Sequence, residues 1–131
     1  MIRYLSVEQV VSLHQGLTSV LSGDPGIRDL RALDAAILRP TATFAGEDVY
    51  PTLAAKAACL MHGLVATTPF VAASKGTAAV AADCFLAANG VALAASDQDL
   101  LQVVQALERG EVGVEALAIW FSQRVQRRPG A

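Results

Sequence analysis

The residues best suited to chemistry lie in one segment, Thr68 to Ala78, at the start of an expected helix. A lysine beside the N–H groups of a helix start can bind a phosphate or another anion, because both are positive. The segment contains no carboxylate and no imidazole. Two interpretations stay open for this segment: weak anion binding without a metal site, or a Ser74 that only caps the helix beside a solvated Lys75. The predicted anion-binding residues are Ala73, Ser74, Lys75, Gly76 and Thr77.

His14 and His62 are the two histidines of the chain. Each lies on or beside an apolar helical face and has no partner at metal-binding spacing, so packed or rim positions are expected for both. His62 comes shortly before the loop and is the candidate base if transfer activity is retained. Thr68 cannot act as a base, because its hydroxyl keeps its proton at physiological pH.

The loop is one of five blocks that match the sequence pattern of a single protein family, in the same order along the chain. The other blocks are Tyr4–Val10, Gly26–Leu30, Phe44–Ala58 and Cys84–Gly90. The loop has Pro69, Phe70, Lys75, Thr77 and Ala78 of the motif H-P-F-x-D/E-G/A-N-K/G-R-T-A. The chain thus resembles the Fic/Doc family, and within it the Doc-like branch. The motif's histidine, acid, asparagine and arginine are replaced by Thr68, Ala72, Ser74 and Gly76.

The resemblance implies a role for each motif position. In the family, the histidine removes a proton from a target hydroxyl that attacks a phosphate, the acid holds Mg²⁺, and basic residues bind phosphate oxygens. Thr68, Ala72 and Gly76 lack these groups, and the missing base alone is worth about 10²–10⁴ in rate. We therefore expect a toxin–antitoxin type protein that is catalytically impaired and acts as a binding or regulatory module. No cofactor is expected; ATP and Mg²⁺ would be needed only if family activity persists.

Two other functions stay open at this point. One is an active phosphotransferase or nucleotidyltransferase that uses His62 as a non-standard base. The other is a structural remnant without a ligand. The resemblance also implies a flap, with Glu47, Asp48 and Tyr50, that holds a target segment as an added strand. The expected partners are an antitoxin peptide or a target protein, and a homo-oligomer is left open.

Composition favours a single cytoplasmic domain over residues 1–131. The chain is 53% hydrophobic and 17% charged, which excludes a disordered protein, and 131 residues can bury a sizeable core. A net charge of −2 argues against direct nucleic-acid binding. We see no signal-peptide pattern and no uninterrupted membrane-spanning run. Cys59 and Cys84 are expected to be small buried thiols.

Helical periodicity predicts an all-α bundle of about six helices. Helix starts are predicted at Ser6, Asp29, Ser74 and Ser96. Asn89 and Gly90 predict the end of the fourth helix. Pro51 is placed in the first turn of the third helix. The last helix is expected to continue through Val125. Residues 41–50 have no helical period, and the resemblance places a small β flap there, between the second and third helices.

Overall fold

The computed structural model describes residues 1–128. Six α-helices form in this part of the chain, which confirms the predicted all-α bundle. They are α1 (Val7–Leu21), α2 (Leu30–Leu38), α3 (Leu53–Thr67), α4 (Ser74–Ala88), α5 (Asp97–Glu108) and α6 (Val114–Ser122). A short 3₁₀ helix, Arg39–Thr41, follows α2 directly.

Capping residues set several of these boundaries as predicted. Ser6 and Ser96 each form a capping box: the serine hydroxyl accepts from the backbone N–H of the third helical residue, and the side chain of that residue accepts from the serine N–H. Asp29 accepts from the Ala32 N–H and caps α2. At the C-terminal end of α4, Asn89 is the cap residue. The next residue, Gly90, has a φ of 76°, a left-handed conformation that favours glycine.

The predicted flap is present between α2 and α3. Strands β1 (Thr43–Phe44) and β2 (Glu47–Asp48) pair antiparallel, with Thr43 opposite Asp48. Ala45 and Gly46 connect them with φ values of 54° and 83°. Two positive φ values in a two-residue connection match the twist of paired strands. All four strand residues are exposed.

The predicted start of the third helix and the predicted end of the last helix were wrong. The third helix begins after Pro51, because the Thr52 hydroxyl accepts from the Ala55 N–H and takes the cap position. The last helix ends at Ser122, and Val125 belongs to a strand instead, β4 (Val125–Arg127). This strand pairs antiparallel with β3 (Val91–Leu93), which satisfies the backbone groups of the chain leaving α4.

Helix α3 lies at the centre of the bundle, packed against α2, α4 and α6. Most of its length is buried, including the Cys59 thiol, whereas Cys84 on α4 is only half-buried. The prediction of a buried thiol is therefore confirmed for Cys59 and was too strong for Cys84. Within residues 1–128, no helix combines the length and apolar character needed to cross a bilayer.

Candidate functional site

The loop that joins α3 to α4, residues 68–73, is bounded by two residues in the left-handed conformation. Thr68 has a φ of 41° and Ala73 a φ of 60°. This conformation costs roughly 1–2 kcal/mol for a residue with a side chain, and it is a genuine outlier for a β-branched residue. Such a loop keeps its shape only where its surroundings hold it.

The turn before α2 supplies part of that support. The N–H groups of Arg28 and Asp29 donate to the Pro69 carbonyl at 2.8 and 3.0 Å. The Val71 N–H donates in turn to the Gly26 carbonyl at 3.0 Å. The loop is therefore paired with residues 26–29 in the manner of a short antiparallel bridge.

Helix α1 holds the loop from the opposite side through His14. The imidazole is fully buried and stacks on the Phe70 ring, with 3.7 Å between centroids and 11° between planes. Its Nε2 lies 2.8 Å from the Ala72 carbonyl oxygen. The prediction that His14 is a packed residue is confirmed, and the packing includes a directed hydrogen bond that sequence reasoning missed.

The prediction that Ser74 caps α4 was wrong. Ala73 occupies the cap position in its left-handed conformation and makes no side-chain hydrogen bond, and Ser74 is the first helical residue. The Ser74 hydroxyl accepts from the Phe70 N–H at 3.3 Å instead, so it stabilises the loop. No side chain therefore caps this helix start, and first-turn N–H groups have no intrahelical partner.

A cavity of about 350 Å³ opens beside this helix start. It contains the four replaced motif positions and most of the predicted anion-binding residues, while Thr77 is buried and does not line it. Sequence reasoning missed three of the lining residues, Leu21, Arg28 and Glu108. Of these, only Arg28 had a signal in the sequence, because it lies in the matched Gly26–Leu30 block. The lining residues are Leu21, Arg28, Thr68, residues 70–76 and Glu108.

Two cations and one carboxylate face this cavity. The Arg28 guanidinium donates to both the carbonyl oxygen and the hydroxyl of Thr68. Lys75 pairs with Glu108 at 3.2 Å, and both side chains are about half exposed. Because Glu108 offsets the charge of Lys75, the remaining positive potential comes from Arg28 and from the helix dipole.

The side chain of Leu17 fills the space next to Gly76. A Cβ atom added to Gly76 would lie 2.8 Å from Cδ2 of Leu17, closer than real Cβ contacts. Leu17 lies on α1 and is partly buried. An arginine at position 76 would therefore require the Leu17 side chain to move.

The flap is tied to the bundle through a buried lysine. Lys56 on α3 is 1% exposed, and its Nζ donates to Asp48 Oδ2 at 3.1 Å and to the Pro40 carbonyl at 3.2 Å. Burial lowers the pKa of Lys56, but contacts with Tyr4 and Asp48 outweigh it and raise the pKa above its usual value. Asp48 therefore anchors the flap.

The other two predicted flap residues differ from each other. The Tyr50 hydroxyl accepts from Arg39 Nε at 3.0 Å, so it also contacts the body of the protein. Glu47 is exposed on β2. Of the three predicted side chains, Glu47 is thus the most available to a bound segment.

His62 lies outside the cavity lining. Its Nδ1 is 3.1 Å from Nη1 of Arg39. Because a guanidinium only donates, Nδ1 must accept, and the neutral ring carries its proton on Nε2. Burial and the Arg39 charge lower the pKa of His62 below its ordinary value. Among residues 1–128, no three His, Cys, Asp or Glu side chains cluster as a metal site requires.

The chain is similar in sequence to known proteins. The sequence model described as "Fic/DOC family" matches residues 4–86, a stretch that contains α1 through most of α4. The chain belongs to the Fic/Doc family. Toxin Doc of Mycolicibacterium smegmatis (strain ATCC 700084 / mc(2)155) is 42% identical over 95 residues, which make up 72% of this chain and 71% of that protein. This Fic/Doc protein is therefore similar to a protein named as a toxin.

Proposed function

We propose that this Doc-like protein is a catalytically impaired binding or regulatory module of the toxin–antitoxin type that binds phosphate groups weakly. One observation carries the proposal. Contacts from α1 and from residues 26–29 hold the motif loop beside a cavity with positive potential, but the loop side chains supply no base and no arginine at position 76. Binding needs the shape and the charge. Transfer to a hydroxyl also needs a proton acceptor, which the Thr68 hydroxyl cannot be.

The cavity does not suit the Mg²⁺ ion that the family uses. Hard divalent cations take oxygen ligands, chiefly carboxylates. Position 72 offers a methyl group, and the carboxylate that lines the cavity, Glu108, is already paired with Lys75. Within residues 1–128, the cavity therefore has no free carboxylate with which to hold the ion.

The cavity suits a phosphate group better. The N–H groups of residues 74–76 begin α4 without a side-chain cap, and a phosphate there needs no special side chain. Arg28 adds a guanidinium at the cavity wall, which supplies some of the charge that Gly76 lacks. ATP is the phosphate ligand that the family suggests.

The same proposal covers location and partners. We assign the protein to the cytoplasm, with an antitoxin peptide or a target segment as its protein partner. The exposed strand residues of the flap would pair with an added strand, because that mode uses backbone groups rather than special side chains. Asp48 and Tyr50 would hold the flap in place while Glu47 contacts the partner.

The alternative of an active enzyme with His62 as base has less support. Arg39 occupies Nδ1, and Nε2 already holds a proton, so the ring has no free lone pair to accept another. The alternative of a ligand-free remnant is opposed by the positive cavity. Both alternatives give results distinct from those of the proposed function in the two experiments below.

Calorimetric titration with ATP, with and without Mg²⁺, tests binding. We expect weak binding that changes little with Mg²⁺ and that falls about 5–10-fold in Arg28→Gln, because one charge-assisted contact is lost at an exposed site. Arg31→Gln is the matched control, since Arg31 is exposed on α2 and does not line the cavity. Absence of binding at millimolar ATP would favour the remnant.

Transfer of label from ATP to proteins of a cell lysate tests catalysis. We expect none from the wild-type protein, with label in either the α- or the γ-phosphate. The combined variant Thr68→His, Ala72→Asp, Ser74→Asn, Gly76→Arg should transfer label once Leu17→Ala makes room at position 76. Label transferred by the wild type in a His62-dependent manner contradicts the proposal. A combined variant that folds but neither binds ATP nor transfers label shows that the loop does not keep the family frame.

A further inference from the structure

We propose that His14 is a positioning residue that sets the direction of the Ala73 N–H group in the motif loop. The link to phosphate binding rests on the proposed function, whereas the effect on loop geometry does not. His14 reaches the loop at two points, the Phe70 ring and the Ala72 carbonyl, although it lies on α1, far away in sequence. It is fully buried, so its contacts are with protein rather than with water.

The hydrogen bond defines the state of the imidazole. A carbonyl oxygen can only accept, so Nε2 of His14 must carry the proton that it shares with Ala72. In the neutral ring Nδ1 is then a bare acceptor, and within residues 1–128 it has no hydrogen-bond partner. A leucine would fill similar space without leaving a buried acceptor unpaired. The ring therefore contributes through its Nε2–H group rather than through packing alone.

The consequence reaches the next residue through the peptide plane. In a trans peptide, the carbonyl of one residue and the N–H of the following residue point in opposite directions. Since the Ala72 carbonyl is fixed toward α1, the Ala73 N–H points away from α1. Ala73 lines the cavity, and its N–H makes no hydrogen bond within the described part of the chain. His14 thus orients one more donor at the start of α4.

This arrangement also explains how Ala73 keeps a left-handed conformation with a Cβ atom. Its φ of 60° is held from the N-terminal side by the fixed Ala72 carbonyl and from the C-terminal side by the first turn of α4, where the Thr77 N–H donates to the Ala73 carbonyl at 2.9 Å. Loss of the His14 contact removes the first constraint. The loop backbone can then relax, and the Ala73 N–H no longer points in the same direction as the N–H groups at the start of α4.

A matched pair of variants separates the donor from the packing. In His14→Gln, the amide nitrogen reaches the place of Nε2; in His14→Asn, it reaches only the place of Nδ1. His14→Phe keeps an aromatic ring on Phe70 and removes the donor. We expect amide hydrogen exchange in residues 70–73 to stay within about twofold of wild type in His14→Gln and to rise about tenfold in the other two, as for one lost hydrogen bond.

Binding of inorganic phosphate, followed by amide chemical shifts, provides the second readout. It should weaken about tenfold in His14→Asn and His14→Phe and be kept in His14→Gln. Equal exchange in Gln and Asn variants overturns the proposal, because a packing role would not distinguish them. If the wild type binds no phosphate but the exchange pattern holds, the positioning role stands and the proposed binding function fails.

A measurement on the wild-type protein keeps the test decisive if His14→Asn does not fold. The ¹⁵N shifts of the His14 imidazole distinguish a protonated from a bare ring nitrogen. We expect Nε2 to be protonated, as its hydrogen bond to the Ala72 carbonyl requires. The opposite tautomer overturns the proposal, since Nε2 could not then donate to Ala72.

Discussion

Replacement of Thr68 tests whether the loop backbone is strained. Thr68 caps α3 with φ 41° and ψ 61°, which costs roughly 1–2 kcal/mol for an ordinary residue and more for a β-branched one. Asparagine tolerates this conformation well, and its amide oxygen can still accept from Arg28. We therefore expect Thr68→Asn to raise the free energy of unfolding by about 0.5–1 kcal/mol.

Thr68→Val supplies the opposite case. It keeps the branched Cβ, and with it the strain, but removes the hydroxyl that accepts from Arg28. Because this contact is exposed, its loss should lower the free energy of unfolding by only about 0.5–1 kcal/mol. Thermal and urea unfolding at pH 7 measure both effects, with melting-temperature shifts of roughly 2–4 °C in opposite directions.

The neighbouring threonine is the control for this pair. Thr67 is still helical, and its hydroxyl donates to the Gly63 carbonyl at 2.7 Å. Thr67→Asn relieves no left-handed strain, so it should not stabilise the protein. The reasoning is refuted if Thr68→Asn gains nothing over wild type, or if both positions respond alike.

The result also bears on the family motif. Histidine, like asparagine, occurs in the left-handed region several-fold more often than other residues with a side chain. Thr68→His should therefore be at least as stable as wild type. Such an outcome would mean that the backbone at position 68 suits the family's residue better than the threonine it now holds.

Two further predictions concern ionisable groups. The folded state lowers the pKa of His62, so the unfolded chain binds the proton more readily. The free energy of unfolding should therefore fall as the pH drops below about 6.5. In His62→Asn, denaturant titrations should show a smaller loss of this free energy between about pH 6.5 and 5. Asp48→Asn should lower the free energy of unfolding by about 1–3 kcal/mol, because it leaves the buried Lys56 ammonium without its carboxylate partner. Glu47→Gln, on the same exposed strand, is the control and should change the free energy of unfolding by no more than about 0.5 kcal/mol. Equal effects at positions 47 and 48 in urea unfolding would contradict the anchoring role.

Local signals in the sequence were enough to predict most of the fold. Capping boxes at Ser6 and Ser96 and the stop at Asn89–Gly90 act within a few residues, so a pattern can show them. The β3–β4 pair could not be found in this way. Each strand has only three residues, and its partner is distant along the chain.

The candidate site was predictable in place but not in detail. The matched motif located the loop, yet the position of Ser74 suggested a cap that the left-handed Ala73 takes instead. His14 and Glu108 reach the loop by tertiary packing from α1 and α5, and nothing in their local sequence indicates that contact. Arg28 had a signal in its matched block, but its direction toward Thr68 needed the structure.

Leu17 couples the residue at position 76 to helix α1. Its Cδ2 methyl would lie 2.8 Å from a Cβ atom at position 76, so a mutation back to arginine requires this side chain to turn aside. A smaller residue at position 17 removes that requirement. A selection experiment that regains arginine at position 76 should therefore also enrich smaller side chains at position 17.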